Sequence, residues 1–154
     1  KCFASLAGQR GFSETPQFEG SSCLSRERYD YMFQKRLLDE HYRTYGGSYA
    51  WVRAGLRASR EQMRRENLAK IKVPVLLFAA GHDHMVDNDA IERFAELTNR
   101  TELFFMPDSR HEIFNADERT RTKYYDEIFR FIKEEEVKDY ENKNEQTRKI
   151  LGTV

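Results

Sequence analysis

The sequence has no charge excess, no long apolar run, and little cysteine or proline. Its 26 basic and 26 acidic residues cancel. That argues against nucleic acid as a partner, because a phosphate-holding domain carries a clear basic surplus. No apolar stretch approaches the roughly 20 residues that cross a bilayer. The opening KCFASLAGQRGFSE is too poor in apolar residues for a signal peptide. The expected location is therefore cytoplasmic or membrane-peripheral. An initiator methionine is also missing, so the expectation is a chain that begins inside a longer gene product. Cys2 and Cys23 form no CxxC pair and do not recur at metal-ligand spacing, which favours a reduced setting over a disulfide. There is no internal repeat and no Pro-rich or Gly/Ser-rich linker. At 154 residues the chain has the size of one domain, able to bury about 70% of its unfolded surface. A mean hydropathy of −0.83 is low for a domain with a covered sheet. Either much of the chain is solvated helix, or part of the core lies elsewhere.

What is present divides into three stretches. Residues 1–71 read as an irregular lead-in and a helical cap or lid. Ser25 is placed to cap a helix over about 26–40, with Glu27 in its first turn and Tyr29, Met32, Phe33 and Leu37 at helical spacing. Thr44-Tyr45-Gly46-Gly47 breaks it, and Ser48 can cap a second helix bearing Tyr49, Val52 and Leu56 on one face, with Trp51 beside it. On spacing alone, this aromatic stripe is better read as core than as a binding wall. Residues 72–137 read as strand, helix, strand, helix: Val73–Ala79, Asp89–Leu97, Thr101–Met106 and a final helix with the stripe Tyr125, Ile128, Phe129, Ile132. Ile91, Phe94, Ala95 and Leu97 are expected to turn inward. Residues 138–154 form a polar tail, either a helical extension or a frayed end.

The loops after the two strands carry the chemistry. Gly81, His82, Asp83 and His84 follow the first, and His111 follows the second. Parallel strands joined by a right-handed crossover have their carboxyl ends on one edge, about 4.8 Å apart. Asp83 and His111 can therefore meet although 28 positions separate them. A buried carboxylate that accepts from one imidazole nitrogen fixes the tautomer and frees the other nitrogen to take a proton. Asp83 could instead cap the following helix, His111 could be a surface loop residue, and Asp87 is a rival acid that lies further from the strand end. His82, Asp83 and His84 are consecutive and cannot all face one ion, so no metal site and no cofactor is expected.

VPVLLFAAGHDHMVDN followed by MPDSRHEIFNADE resembles the last two strand–loop units of α/β-hydrolases. FEGSSCLSRERYDYMFQ and YGGSYAWVRAGLRAS resemble the cap region of the lysophospholipase L2 and monoacylglycerol lipase branch. The resemblance runs from about residue 18 to 132. It implies an α/β fold, specifically the carboxyl-terminal part of an α/β-hydrolase: helical cap plus the last two parallel strands and their helices. It implies Asp83 and His111 as members of a Ser-Asp-His triad, often with an acid a few positions later, here Asp117 or Glu118. It implies an acyl-ester lipid substrate, a lysophospholipid or monoacylglycerol, against cap residues such as Tyr29, Phe33, Tyr49 and Trp51, with possible membrane-surface contact. The departure is the nucleophile. A G-x-S-x-G elbow is absent: none of Ser5, Ser13, Ser21, Ser22, Ser25, Ser48, Ser59 and Ser109 has both of its flanking glycines. The serine and oxyanion hole are expected upstream of Lys1. The isolated chain is then inactive, and its open sheet edge is covered by the missing amino-terminal half or by a second copy. The alternative is a non-catalytic interaction module that keeps the fold.

Overall fold

The computed structural model describes residues 11–43 and 46–151, the last five of these as backbone only. Cys2, Thr44 and Tyr45 lie outside the described residues. In order, the elements are α1 (Arg26–Leu38), a 3-10 turn at Glu40–Tyr42, α2 (Tyr49–Gln62), α3 (Arg65–Leu68), β1 (Val75–Ala80), α4 (Asn88–Glu96), β2 (Thr101–Met106), a 3-10 turn at Ile113–Asn115, and α5 (Glu118–Leu151).

The caps follow local chemistry. Ser25 Oγ accepts from the Arg28 N–H, Ser48 Oγ from the Trp51 N–H, and Asp87 Oδ1 from the Asp89 N–H. Each satisfies a donor that a helix start leaves orphaned. At α5, Asp117 accepts from both the backbone N–H and the hydroxyl of Thr120. α1 ends at Leu38, two residues short of the expected end, because Asp39 turns extended and caps the 3-10 turn by accepting from the His41 N–H.

β1 and β2 pair in parallel, from Val75 opposite Thr101 to Ala80 opposite Met106. α4 packs against both strands. β1 starts two residues later than expected: Val73 is exposed and Pro74, which cannot donate to a ladder, precedes the first pair. The tightest core lies at the carboxyl ends of the strands, where Ala80, Met106 and Ile113 are buried together against Phe78, Phe104 and Tyr124. Phe78 sits 4.6 Å from the Tyr124 ring and 5.8 Å from Phe104, within the range of favourable aromatic pairs. This is an α/β arrangement with a small parallel sheet, the partial hydrolase fold expected from the sequence.

Three expectations about faces need correction. On α5 the half-buried apolar positions are Tyr124, Ile128 and Phe131, while Tyr125, Phe129 and Ile132 are exposed. Helix rotation is set by the Phe78–Tyr124 contact and by Arg130, which ties Glu127 and Glu134 on its own helix to Glu102 on β2. Leu97 caps α4 at its carboxyl end and is exposed, leaving Ile91, Phe94 and Ala95 as the inward residues. The aromatic stripe is also not one core: Phe33 of α1 is buried, whereas α2 has no buried residue. The polar tail continues α5 as helix through Leu151.

Candidate active site

The ladder between β1 and β2 does not stop where the strands do. The Gly81 N–H donates to the Met106 carbonyl at 2.9 Å, and the His82 N–H to the Ser109 carbonyl at 2.9 Å. Gly81 is required at this approach: a Cβ there would stand 2.3 Å from the Pro107 oxygen. The two loops are thus zipped side by side, and the residues that follow are presented together.

Asp83 and His111 are the pair so presented. His111 Nδ1 lies 2.9 Å from Asp83 Oδ2. The other carboxylate oxygen, Oδ1, accepts from the N–H groups of Met85 (2.8 Å) and Val86 (3.1 Å). Burial by itself pushes the Asp83 carboxyl up. The Met85 amide, the His111 ring and the Val86 amide together outweigh it, and the group is held below the ordinary carboxylate range. An ionised carboxylate can only accept, so Nδ1 carries the proton and Nε2 is the basic nitrogen. The Asp83 side chain is 4% exposed and that of His111 38%, so the carboxylate is buried while the imidazole reaches solvent. Nε2 has no hydrogen-bond partner among the described residues.

The rival placements separate cleanly. Asp87 is the cap of α4, and Asp117 is committed to Thr120. His82 and His84 are exposed, and among the described residues no three His, Cys, Asp or Glu side chains converge as a metal site would need. Ser109 is fully buried with its hydroxyl turned to the Arg110 carbonyl. Cys23 is also buried, donates to the carbonyls of Ser25 and Asn115, and has its thiol pushed up by burial. Neither has the exposure or the thiolate character of a nucleophile.

The four aromatic cap residues divide into two groups. Tyr29 and Phe33 stack at 6.0 Å and line a cleft of about 490 Å³ with Met32, Phe114, Arg36 and Glu112. Tyr49 and Trp51 are not part of that lining and are 48% and 70% exposed on α2. The cleft borders the histidine loop through Glu112, next in sequence to His111, and Phe114, two residues further on.

The family described as serine aminopeptidase, S33, matches residues 17–118. The chain belongs to this α/β-hydrolase family. The match takes in α1, both strands and the two loops that hold Asp83 and His111. No curated protein and no solved structure matches the chain. Among the described residues no helix is long and apolar enough to cross a membrane.

Sequence reasoning missed the parts that hold the pair in place. These are the Met85 and Val86 amides, the buried turn at Ser109, and Asn88, whose Nδ2 donates to the Ala80 carbonyl at 2.9 Å. Backbone donors have no side-chain signature. Gly81 did carry one, since a glycine between a buried strand and an acid marks close backbone approach.

Proposed function

We propose that this chain supplies the acid and the base of a serine hydrolase acting on carboxylic esters of amphiphilic lipids, lysophospholipids or monoacylglycerols. Asp83 orients His111 and stabilises the imidazolium. His111 Nε2 takes the proton of a serine supplied from outside these residues, and later delivers it to the leaving alcohol. The observation that carries the reading is the 2.9 Å contact between a buried, amide-pinned carboxylate and an imidazole with its other nitrogen open. The cleft beside the histidine loop supports the substrate class. Its volume of about 490 Å³ is that of a small-molecule site, and Tyr29, Met32, Phe33 and Phe114 offer an acyl chain an apolar wall. A substrate of this kind is drawn from a lipid surface, so the reading includes peripheral contact with a bilayer.

The test is to supply the missing serine. Fused behind a G-x-S-x-G-bearing amino-terminal half from the same family, the chain should hydrolyse monoacyl esters. His111→Ala should reduce that rate to background. The 154-residue chain alone should neither turn over p-nitrophenyl esters nor react with a fluorophosphonate. Turnover by the pure chain would overturn the assignment of the nucleophile. Aminoacyl p-nitroanilides, run beside the esters, separate an acyl-lipid substrate from the peptide amide in the family's description. A fusion that folds but acts on neither favours the non-catalytic module.

A further inference from the structure

His111 is held through its neighbours as well as through its ring. The segment Phe18–Ser25, ahead of α1, lies along the histidine loop. The Arg110 guanidinium donates through Nη1 to the carbonyls of Phe18 (3.4 Å), Ser21 (3.1 Å) and Cys23 (3.4 Å), and its centre lies 5.8 Å from the Phe18 ring. On the other side of His111, the Glu112 N–H donates to the Ser22 carbonyl at 3.0 Å. The Asn115 carbonyl accepts from the Ser25 N–H and from Cys23 Sγ. The residues immediately before and after the histidine are therefore both fastened to one strap.

From this we infer that Arg110 is a positioning residue, which acts through the Phe18–Cys23 strap to hold the His111 backbone where Nδ1 meets Asp83. The inference rests on the pairing of Asp83 and His111 proposed above. The two N–H groups of Nη1 are shared among three main-chain carbonyls, with that of Ser21 the nearest, and a charge-assisted donor holds neutral carbonyls more firmly than an amide does. Arg26 also stands over the Phe18 ring, at 5.4 Å, but is paired with Asp30, and among the described residues Arg110 is the one cation that donates to the strap's carbonyls. The His111 ring, half in solvent, has only Asp83 to hold it. The strap adds to that contact and to the loop pairing at Gly81 and His82 in fixing its direction, and an imidazole displaced by an ångström loses its use as a base.

The experiment is proton NMR of the 154-residue chain, following the far-downfield Nδ1–H signal of His111 and its exchange with solvent. Wild type should show the signal, and Asp83→Asn should abolish it. Arg110→Met should speed its exchange about tenfold, the scale of one charge-assisted hydrogen bond lost, while β1 and β2 amide shifts stay in place. Arg110→Lys, which keeps a cation for the carbonyls, should restore slow exchange. An unchanged signal in a folded Arg110→Met overturns the inference and leaves the Asp83–His111 reading standing. No signal in wild type, or one indifferent to Asp83→Asn, overturns both. Should Arg110→Met fail to fold, Arg110→Gln, which keeps a neutral donor in place of the cation, gives a milder reading: faster exchange supports the inference, and unchanged exchange overturns it.

Discussion

Gly81 and Pro107 stand so close that a Cβ on the glycine would lie 2.3 Å from the proline's carbonyl oxygen and 2.8 Å from its Cα. Both obstacles are backbone, which cannot swing aside as a side chain can. The contact sits one residue past the end of each strand and sets the spacing of the loops that carry Asp83 and His111. Gly81→Ala should therefore force the loops apart. Forcing volume into a packed site costs about 1–3 kcal/mol, read as a lower urea midpoint with an unchanged slope. The downfield His111 signal should weaken in the same variant. A variant of wild-type stability with that signal intact would show that the close approach is not what aligns the pair.

The two acids after β1 have different jobs, and substitution separates them. In the fusion that carries a nucleophile, Asp83→Asn should lower kcat by about 10⁴-fold, because an amide leaves the imidazole in the wrong tautomer. Asp87→Asn replaces one good helix cap by another and should change stability by a few tenths of a kcal/mol at most, with kcat unaltered. Equal losses from both variants would contradict this division.

Stability in acid should carry the mark of Asp83. Its folded pKa lies below its unfolded one, with burial opposed and exceeded by the Met85, His111 and Val86 donors. The folded state thus binds fewer protons there. The contribution is complete above the unfolded pKa of about 3.9 and is lost as pH falls through the depressed folded value. Asp117, lowered by the Thr120 amide, and Asp39, lowered by the His41 amide, shift in the same sense. Wild-type acid unfolding is therefore a sum. Urea titrations of wild type and Asp83→Asn from pH 7 downward isolate one part: the stability gap should be constant near neutrality and close in acid. A gap that widens as pH falls would reverse the sign argued here.

How far the sequence reveals this fold depends on which interactions decide each feature. β2 and the starts of α1, α2 and α4 are governed by local chemistry, a strand's apolar run or a single capping side chain, and were legible to within a residue. The meeting of Asp83 and His111 was legible as a consequence of parallel topology. The rotation of α5 was not. Tyr124 and Tyr125 are equally apolar neighbours, and only the position of Phe78, far away in sequence, decides which one turns inward. The same holds for the aromatic cap: helical spacing cannot tell that Phe33 finds Phe12 and Tyr29 to stack on, while no residue of α2 is buried. The strap under His111 was illegible for another reason, since its bonds are to main-chain carbonyls that every residue possesses.

The exposed apolar surface follows from how little of the sheet is present. The Val75 N–H donates to Arg100 and the Gly81 N–H to Met106, both across to β2. By alternation, the N–H and C=O groups of Leu76 and Phe78 point to the opposite side. β1 has no strand on that side among the described residues. An unpaired edge with an apolar sequence is a template for another strand. The occupant we expect is the remainder of a hydrolase sheet or, when the chain is alone, a second copy paired across a two-fold axis. Light scattering of the isolated chain should then show mass rising with concentration. Leu76→Pro removes an outward N–H that β2 does not use, and an edge strand tolerates such a proline. It should shift the chain back toward monomer while circular dichroism stays unchanged. Strictly monomeric wild type at high concentration would mean that the edge is covered by the chain's own residues.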